Sequence, residues 1–237
     1  MFKQKETIGS ATLYLGDAKE LINTIKNIDC IVYDPPFEIW DEIDVIKANK
    51  MIAFCSPTSR HSVEKNLGKP RSEIVWHFAD GRWVSKNLPR ITHDYVYIYG
   101  ETTSASVGDH QKTQGISKGN SSIGKDILGK RYYQPKERKH LNSVQIFPRN
   151  MNNPLGSWGK PTELIKRLIE WIGPSNVLDP YMGSGTTLDA CYQLGIKATG
   201  IEINQKHFDI ACKRLEKLTA QKNLFNYQTV SQTSIFK

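Results

Sequence analysis

The chain is poor in cysteine, and its few cysteines are far apart. The four cysteines (Cys30, Cys55, Cys191 and Cys212) are separated by at least 21 positions, which excludes a Cys-x-x-Cys metal or redox motif. A disulfide framework is not expected either, because the cysteine usage suits the reduced thiols of a cytoplasmic protein. The six histidines show no metal-ligand spacing, so we expect no metal.

Long apolar runs are also missing. No run approaches the roughly 20 residues that a membrane-spanning helix needs. The first residues contain no apolar segment of signal-peptide length. We therefore expect a soluble, non-exported, cytoplasmic protein with reduced cysteines. The 237 residues, 38% hydrophobic and 24% charged, suit one large folded domain or a domain with a small appendage.

Acidic residues are scarce in one stretch, residues 110–150. This stretch contains nine Lys or Arg and two acidic residues, and so carries nearly the whole net charge of +8. It is rich in Gly, Ser and Gln, a composition typical of a loop or small insert. The stretch either binds a polyanion such as nucleic acid or is a solvated basic loop without a partner. The candidate phosphate contacts are Lys112, Lys118, Lys125, Lys130, Arg131, Lys136, Arg138 and Lys139.

Short apolar and β-branched runs alternate with helical patterns along the rest of the chain. This alternation predicts a mostly parallel α/β sheet covered on both faces. The predicted strands are 13–15, 28–33, 51–55, 74–78, 95–99, 176–178 and 197–203. The predicted helices are 18–27, 40–49, 161–172, 186–194 and 205–218.

A Gly-rich turn follows the strand 176–178 and reads Asp179-Pro180-Tyr181-Met182-Gly183-Ser184-Gly185-Thr186-Thr187. Glycines allow a ligand to approach the backbone at the carboxyl end of a strand, where open α/β sheets bind ligands. Glu202 follows Asp179 by 23 residues and ends the next predicted strand, where it is able to accept bonds from two ribose hydroxyls. The pattern predicts a nucleotide-type βαβ unit; a purely structural turn is the alternative.

The residues of this turn favour a ligand without phosphate. A dinucleotide fingerprint requires a third glycine where this chain has Leu188, and no Gly-Lys-Ser/Thr phosphate loop is present. Asp179 would repel a pyrophosphate. S-adenosylmethionine carries a sulfonium, an ammonium and a ribose, so it fits this turn better than NAD or ATP.

The second candidate motif is Asp34-Pro35-Pro36-Phe37, directly after the predicted strand 28–33. Two prolines fix φ and remove two donors, so the chain leaves the sheet rigidly there. The Asp34 carboxylate and the Pro35 carbonyl are suited to accept hydrogen bonds from an exocyclic amine, while Phe37 stacks on its ring. An ordinary strand-ending turn is the alternative.

Together these motifs resemble the DNA amino-methyltransferases that act on adenine N6 or cytosine N4. Residues 34–37 resemble their motif IV, residues 179–187 their motif I and residues 200–202 their motif II. Residues 160–164 resemble motif X, and Asp17 the acid of motif III. Because residues 34–37 precede residues 179–187 in the chain, the order of the motifs resembles that of the circularly permuted β-type enzymes.

The resemblance implies an S-adenosylmethionine-dependent, Rossmann-like methyltransferase fold over one domain, residues 1–237. The resemblance leaves the basic insert, residues 101–145, unmatched, and its charge makes it the candidate DNA-contact and target-recognition region. The implied catalytic residues are Asp34, Pro35, Pro36 and Phe37. The implied cofactor-binding residues are Asp17, Asp34, Lys160, Pro161, Asp179, Tyr181, Gly183, Ser184, Gly185, Thr186 and Glu202. The implied reaction is direct transfer to a flipped base in duplex DNA, without a covalent enzyme intermediate.

The chain length supports the permuted order. Only 52 residues follow Gly185, too few for the remaining strands of a doubly wound sheet. The missing strands must therefore come from the N-terminal half. This predicts that Asp34 and Asp179 lie at the same sheet edge.

Adenine N6 is the favoured target because Asp at the first motif IV position is commoner in adenine enzymes. Cytosine N4 is the alternative; an RNA methyltransferase and an inactive DNA-binding subunit are weaker ones. Cytosine C5 chemistry is rejected because no suitable nucleophilic cysteine follows a proline. Phe37 replaces the commoner Tyr, which leaves stacking intact. A homodimer and a cognate restriction endonuclease are partner hypotheses from the resemblance alone.

Overall fold

The computed structural model describes residues 2–82, 86–87, 89–101, 123–125, 131–133, 141–149 and 159–233. Its strands are β1 Gln4–Ile8, β2 Ala11–Leu15, β3 Cys30–Tyr33, β4 Lys50–Cys55, β5 Ser72–Arg82, β6 Ile91–Gly100, β7 Ile123–Lys125, β8 Arg131–Tyr133, β9 Val144–Ile146, β10 Asn176–Asp179 and β11 Lys197–Glu202. Its helices are α1 Ala18–Leu21, α2 Arg60–Leu67, α3 Thr162–Ile172, α4 Thr186–Gln193 and α5 Gln205–Thr233.

Within the described residues, nine strands form one sheet in the order β1-β2-β11-β10-β3-β4-β6-β5-β9. The central strands β2, β11, β10, β3 and β4 all pair in parallel. Antiparallel pairing occurs at β1 and around β6. The strands β7 and β8 form a separate antiparallel pair. The predicted mostly parallel, Rossmann-like α/β sheet is confirmed.

Helices cover both faces of this sheet, and the burial of β3 shows this. Alternate side chains of a strand point to opposite faces, and all four residues of β3 are buried. Cys30 and Val32 pack in the cluster that contains α3, α4 and α5. Ile31 and Tyr33 pack in the second cluster, with α1 and α2. A doubly wound core therefore surrounds the central strands.

The N-terminal half supplies the strands that the C-terminal half lacks. β3 pairs in parallel with β10, with Cys30 opposite Val177 and Ile31 opposite Leu178. Parallel neighbours end at the same edge of a sheet. Asp34 and Asp179 therefore lie at one edge, as the chain-length argument predicts.

The prediction of a helix over residues 40–49 is wrong. The Tyr33 hydroxyl donates to the Ile46 carbonyl at 2.9 Å and accepts from the Ile46 amide at 3.0 Å. These are the backbone groups that a helix would use for itself. Trp40 is fully buried, with its ring centroid 6.1 Å from that of Tyr33. Tertiary contacts thus hold this segment irregular despite its helical spacing of apolar residues.

The lengths of two helices also differ from the prediction. The helix predicted over residues 18–27 is only α1 followed by a 3-10 turn, Ile22–Thr24. By contrast, α5 continues beyond residue 218 to Thr233. Among the described residues, no helix combines the length and apolar character needed to cross a membrane.

Candidate active site

The first part of the site is the corner where β3 ends. Asp34 follows the buried strand directly, and neither Pro35 nor Pro36 has a backbone N–H to continue the ladder. The chain turns instead into a 3-10 turn, Phe37–Ile39, in which the Ile39 amide donates to the Pro36 carbonyl at 3.1 Å. The Asp34 carboxylate is thereby fixed at the carboxyl end of a buried strand.

Lys160 forms an ion pair with this carboxylate. Its Nζ donates to Asp34 Oδ1 at 2.6 Å and to Oδ2 at 2.8 Å, and its side chain is 9% exposed. The ammonium also lies 5.2 Å from the ring centroid of Phe37 and 5.1 Å from that of Phe54. Burial raises the pKa of Asp34, the ammonium of Lys160 opposes that rise, and the charge of Asp94 adds to it.

The second part is Asp179, at the end of β10. Its carboxylate accepts from the Tyr181 amide at 3.0 Å and from the Thr187 side chain. Burial is the main reason why its pKa rises from 3.8 to about 7, and the charges of Asp34 and Glu202 also raise it. No cation of the described part of the chain pairs with Asp179, and a buried carboxylate of this kind is well suited to bind a cationic ligand.

Glu202, at the end of β11, fastens the Gly-rich turn. One carboxylate oxygen, Oε2, accepts from the Gly183 amide at 2.9 Å. The other, Oε1, accepts from the Asn204 amide at 2.8 Å. Gly183 adopts a positive φ of 53°, which glycine tolerates readily. Glu202 therefore fixes the turn from the neighbouring strand while its carboxylate borders the ligand space.

Gly185 is needed because helix α5 passes close to the turn. It stands just before α4 with φ +79°, and a Cβ there would lie 2.9 Å from the Cβ of Ala211. Both the positive φ and this close approach favour glycine. Gly185 thus brings the first turn of α4 against α5.

Asp17 lies at the fourth strand end of this edge, after β2. Its carboxylate caps α1 by accepting from the Lys19 amide at 2.9 Å. The Gly16 amide donates to the Glu202 carbonyl at 2.9 Å, which holds the ends of β2 and β11 together. Four neighbouring strand ends, those of β2, β11, β10 and β3, therefore each contribute an acid to one edge.

These elements surround a cavity of about 950 Å³. The predicted site residues that line it are Asp17, Asp34, Pro35, Pro36, Phe37, Lys160, Asp179, Tyr181, Gly183, Ser184, Thr186 and Glu202. Gly185 and Pro161 do not line it. Gly185 shapes the turn from behind, and Pro161 precedes α3 as its N-cap residue.

Sequence reasoning missed several lining residues. Ile203 and Asn204 follow Glu202 directly, and Ile39 lies in the turn after Phe37. Ile203 is 63% exposed, which is unusual for a large apolar side chain beside a strand end. A signal was available, since Ile203 and Asn204 directly follow Glu202 and Ile39 lies two residues after Phe37. His207 lies in the first turn of α5, where no sequence motif points to it.

The charge of the cavity suits a cationic cofactor. Six carboxylates line it (Asp17, Asp34, Glu38, Glu42, Asp179 and Glu202), against three lysines (Lys19, Lys160 and Lys206). The residues present fit S-adenosylmethionine, which brings two positive groups and a ribose but no phosphate. Within the described ranges, no group of three or more His, Cys, Asp or Glu side chains is arranged to hold a metal ion.

The basic insert lies mostly outside the described residues. Of the eight candidate DNA contacts, Lys125 and Arg131 belong to β7 and β8, where they are paired across the two strands. The others (Lys112, Lys118, Lys130, Lys136, Arg138 and Lys139) lie outside the described residues. A target-recognition region over residues 101–145 stays a prediction.

Comparison with known proteins agrees with the geometry. Residues 59–213 match the family model N6_N4_Mtase, described as DNA methylase. The chain is 43% identical to the type II methyltransferase M.ScaI of Streptomyces caespitosus over 254 aligned residues, which cover 86% of this chain and 81% of that protein.

Solved structures show the same fold. PvuII DNA methyltransferase, titled cytosine-N4-specific, aligns with a TM-score of 0.63 and 12% identity, covering 93% of this chain and 94% of its own. The complex of M1.HpyAVI with SAM aligns with a TM-score of 0.54 and 22% identity, covering 86% and 99%. Fold, family model and relative agree: this chain belongs to the DNA methylase family of N6 and N4 amino-methyltransferases, whose cofactor is S-adenosylmethionine.

Proposed function

We propose that this protein transfers a methyl group from S-adenosylmethionine to the N6 amino group of adenine in duplex DNA. One observation carries the proposal: Asp34 and Asp179 follow adjacent parallel strands and line the same cavity. An amine-holding corner and a cation-binding turn are thus brought together at one sheet edge. Direct transfer between two bound molecules requires this juxtaposition.

The Asp34 corner holds the acceptor. The Asp34 carboxylate and the Pro35 carbonyl accept hydrogen bonds from the amino group and free its lone pair for attack. Phe37 stacks on the base, which has left the duplex because its reacting atom is otherwise inaccessible. S-adenosylmethionine supplies a methyl group on a positively charged sulfur. Asp34 and Pro35 orient the nitrogen in line with that group, and catalysis comes from positioning and charge complementarity.

The edge formed by β2, β11 and β10 holds the cofactor. Asp179, with its raised pKa, faces the positive methionine end, beside Gly183, Ser184, Gly185 and Thr186. On this assignment Glu202 binds the ribose and Asp17 the adenine amine. Tyr181, Lys160 and Pro161 border the methionine end. The excess of carboxylates around the cavity supports these roles, because it favours a cationic ligand.

The base identity rests on the first residue of motif IV. Asp34 favours adenine, since serine is frequent there in cytosine enzymes. The second candidate function is transfer to cytosine N4, which the likeness to PvuII DNA methyltransferase, titled cytosine-N4-specific, supports. Both reactions use the same amine-holding corner, so they differ only in the base.

We further propose that residues 1–237 form one methyltransferase domain, with residues 101–145 as its DNA-contact and target-recognition region. The net charge of residues 110–150 supports this role, because contacts to phosphates release condensed counterions. A homodimer and a cognate restriction endonuclease stay predictions.

Labelled S-adenosylmethionine tests the function on unmethylated duplex DNA, with RNA in parallel and product nucleosides identified by mass. We expect N6-methyladenine from DNA. Detection of N4-methylcytosine would leave the proposed mechanism unchanged and make cytosine the target base. Label in RNA alone would overturn the DNA assignment. Cofactor binding without any transfer would indicate an inactive binding subunit.

A further inference from the structure

Helix α5 contacts the Gly-rich turn through two residues on one face. Ala211 and Arg214 are three positions apart, so they project to the same side of the helix. Ala211 lies against Gly185. Arg214 donates from Nη1 to the Thr186 hydroxyl oxygen at 2.8 Å. The side chain of Arg214 is 18% exposed, so this contact is largely shielded from water.

The charge of Arg214 is only partly compensated. Its Nε lies 3.9 Å from Asp189 Oδ2, beyond hydrogen-bond distance. Asp189 accepts a shorter bond, 2.7 Å, from Gln193. Burial lowers the pKa of Arg214, and Asp189 opposes that shift. A half-buried cation therefore stands behind the first turn of α4, where the helix dipole also favours a negative ligand group.

The neighbouring hydroxyls of Thr186 and Thr187 have different partners. Thr187 donates its proton to the Asp179 carboxylate. Thr186 accepts from Arg214, so its own proton must point away from the guanidinium, because a hydroxyl has one proton and two lone pairs. Both threonines line the cavity. The turn thus presents an acceptor carboxylate and, beside it, a hydroxyl that is left to donate.

We propose that Arg214 is a positioning residue which directs the Thr186 hydroxyl to donate to the carboxylate of the cofactor's amino-acid end. This inference rests on the proposed function. The amino-acid end carries an ammonium, which suits Asp179, and a carboxylate, which suits Thr186 with the charge of Arg214 behind it. Arg214 acts through Thr186 and does not line the cavity.

Two ligands that differ in the amino-acid end test this role in the full chain. S-adenosylhomocysteine has that end, whereas 5′-methylthioadenosine lacks it. Calorimetry on Arg214→Gln should show binding of S-adenosylhomocysteine weakened about tenfold or more, because a charge-assisted hydrogen bond is lost. Binding of 5′-methylthioadenosine should not change.

Three further variants give the controls. Lys213→Gln removes a positive charge from the exposed side of the same helix and should leave both affinities unchanged. Arg214→Lys keeps a cationic donor and should restore part of the loss. Thr186→Val should weaken binding of S-adenosylhomocysteine but not of 5′-methylthioadenosine. Adding Arg214→Gln to Thr186→Val should lower the affinity for S-adenosylhomocysteine little further, because the two residues act as one unit.

If Arg214→Gln weakens binding of both ligands by the same factor, Arg214 has only a structural role and the inference is overturned. Unchanged binding of S-adenosylhomocysteine would overturn it as well. Should Arg214→Gln not fold, Thr186→Val decides by the same comparison. If the unmodified protein binds neither ligand, the proposed function itself fails and the inference falls with it.

Discussion

Lys160 and Asp34 are 126 residues apart in sequence, yet the Lys160 ammonium lies within 2.8 Å of both Asp34 carboxylate oxygens. Lys160 precedes α3, and Asp34 is the first residue after β3. The pair occupies the place where the proposed acceptor amine binds. On the proposed function, the Lys160 ammonium and the acceptor amino group donate to the same carboxylate.

Lys160→Met should make methyl transfer more sensitive to acid. The proposed active form has Asp34 ionised, and removing the ammonium raises the pKa of that carboxyl further. The pH at which activity falls on acidification should therefore be higher in the variant than in the unmodified protein, by about one pH unit or more. The measurement is kcat/KM against pH.

Two variants make this result specific to the ion pair. Lys160→Arg keeps a cation and should retain a profile close to that of the unmodified protein. Lys65→Met removes an exposed lysine that pairs with Asp41 on the surface and should not move the profile. A slower Lys160→Met enzyme with an unmoved profile would contradict the expectation.

Asp34→Ala should reduce methyl transfer by at least about 100-fold, because it removes an acceptor that acts on the reacting nitrogen. Binding of S-adenosylhomocysteine should remain largely intact. Single-turnover transfer and calorimetry measure the two effects separately. Asp41→Ala, an acid of the next turn that pairs with Ser62 and Lys65, is the matched control. Retained turnover in Asp34→Ala would remove the central claim.

Asp179→Asn should stabilise the ligand-free protein at pH 8 but not at pH 4. The pKa of Asp179 is about 7 in the fold, against an ordinary 3.8. The stability that neutral Asp179 provides is fully present below about pH 4 and is lost as the pH rises through about 7. Asparagine stays neutral, so at pH 8 the free energy of unfolding of the variant should exceed that of the unmodified protein by up to about 4 kcal/mol.

Urea unfolding of both proteins at the two pH values checks this difference. Asp209→Asn, at an exposed position of α5, should show no comparable pH dependence. The same substitution of Asp179 should weaken binding of the cationic cofactor. A stability difference that stays constant between pH 4 and pH 8 would argue against a raised pKa.

Gly185→Ala should cost more stability than Gly195→Ala. Both glycines have positive φ, +79° and +71°, so alanine at either position costs about 1–2 kcal/mol of backbone strain. A Cβ at Gly195 would meet open space, whereas one at Gly185 would crowd Ala211. Overpacking should add about 1–3 kcal/mol at Gly185. Equal losses in thermal unfolding would show that α5 does not constrain the turn.

Local chemistry explains why so much of the site could be predicted. The Pro35-Pro36 pair ends a strand whatever surrounds it, because proline lacks the N–H of the ladder. The glycines after Asp179 indicate a turn by the same kind of local rule. The chain after Gly185 is too short to complete the sheet, and this predicted that Asp34 and Asp179 lie at the same sheet edge.

Features that depend on distant partners were not predicted. The apolar spacing of residues 40–49 indicates a helix, but Tyr33 takes the Ile46 backbone groups and Trp40 packs in the core. The contact of Arg214 with Thr186 and that of Lys160 with Asp34 join segments that carry no signal of each other in the sequence.

The sequence by itself determined the strand ends, the two motif acids and their order along the chain, because proline, glycine and apolar alternation act over a few residues. Only the tertiary structure decided that Lys160 pairs with Asp34 and that Arg214 donates to the Thr186 hydroxyl. Ion pairs and pKa shifts depend on distance and burial, and both are set by how the helices α3 and α5 pack on the sheet.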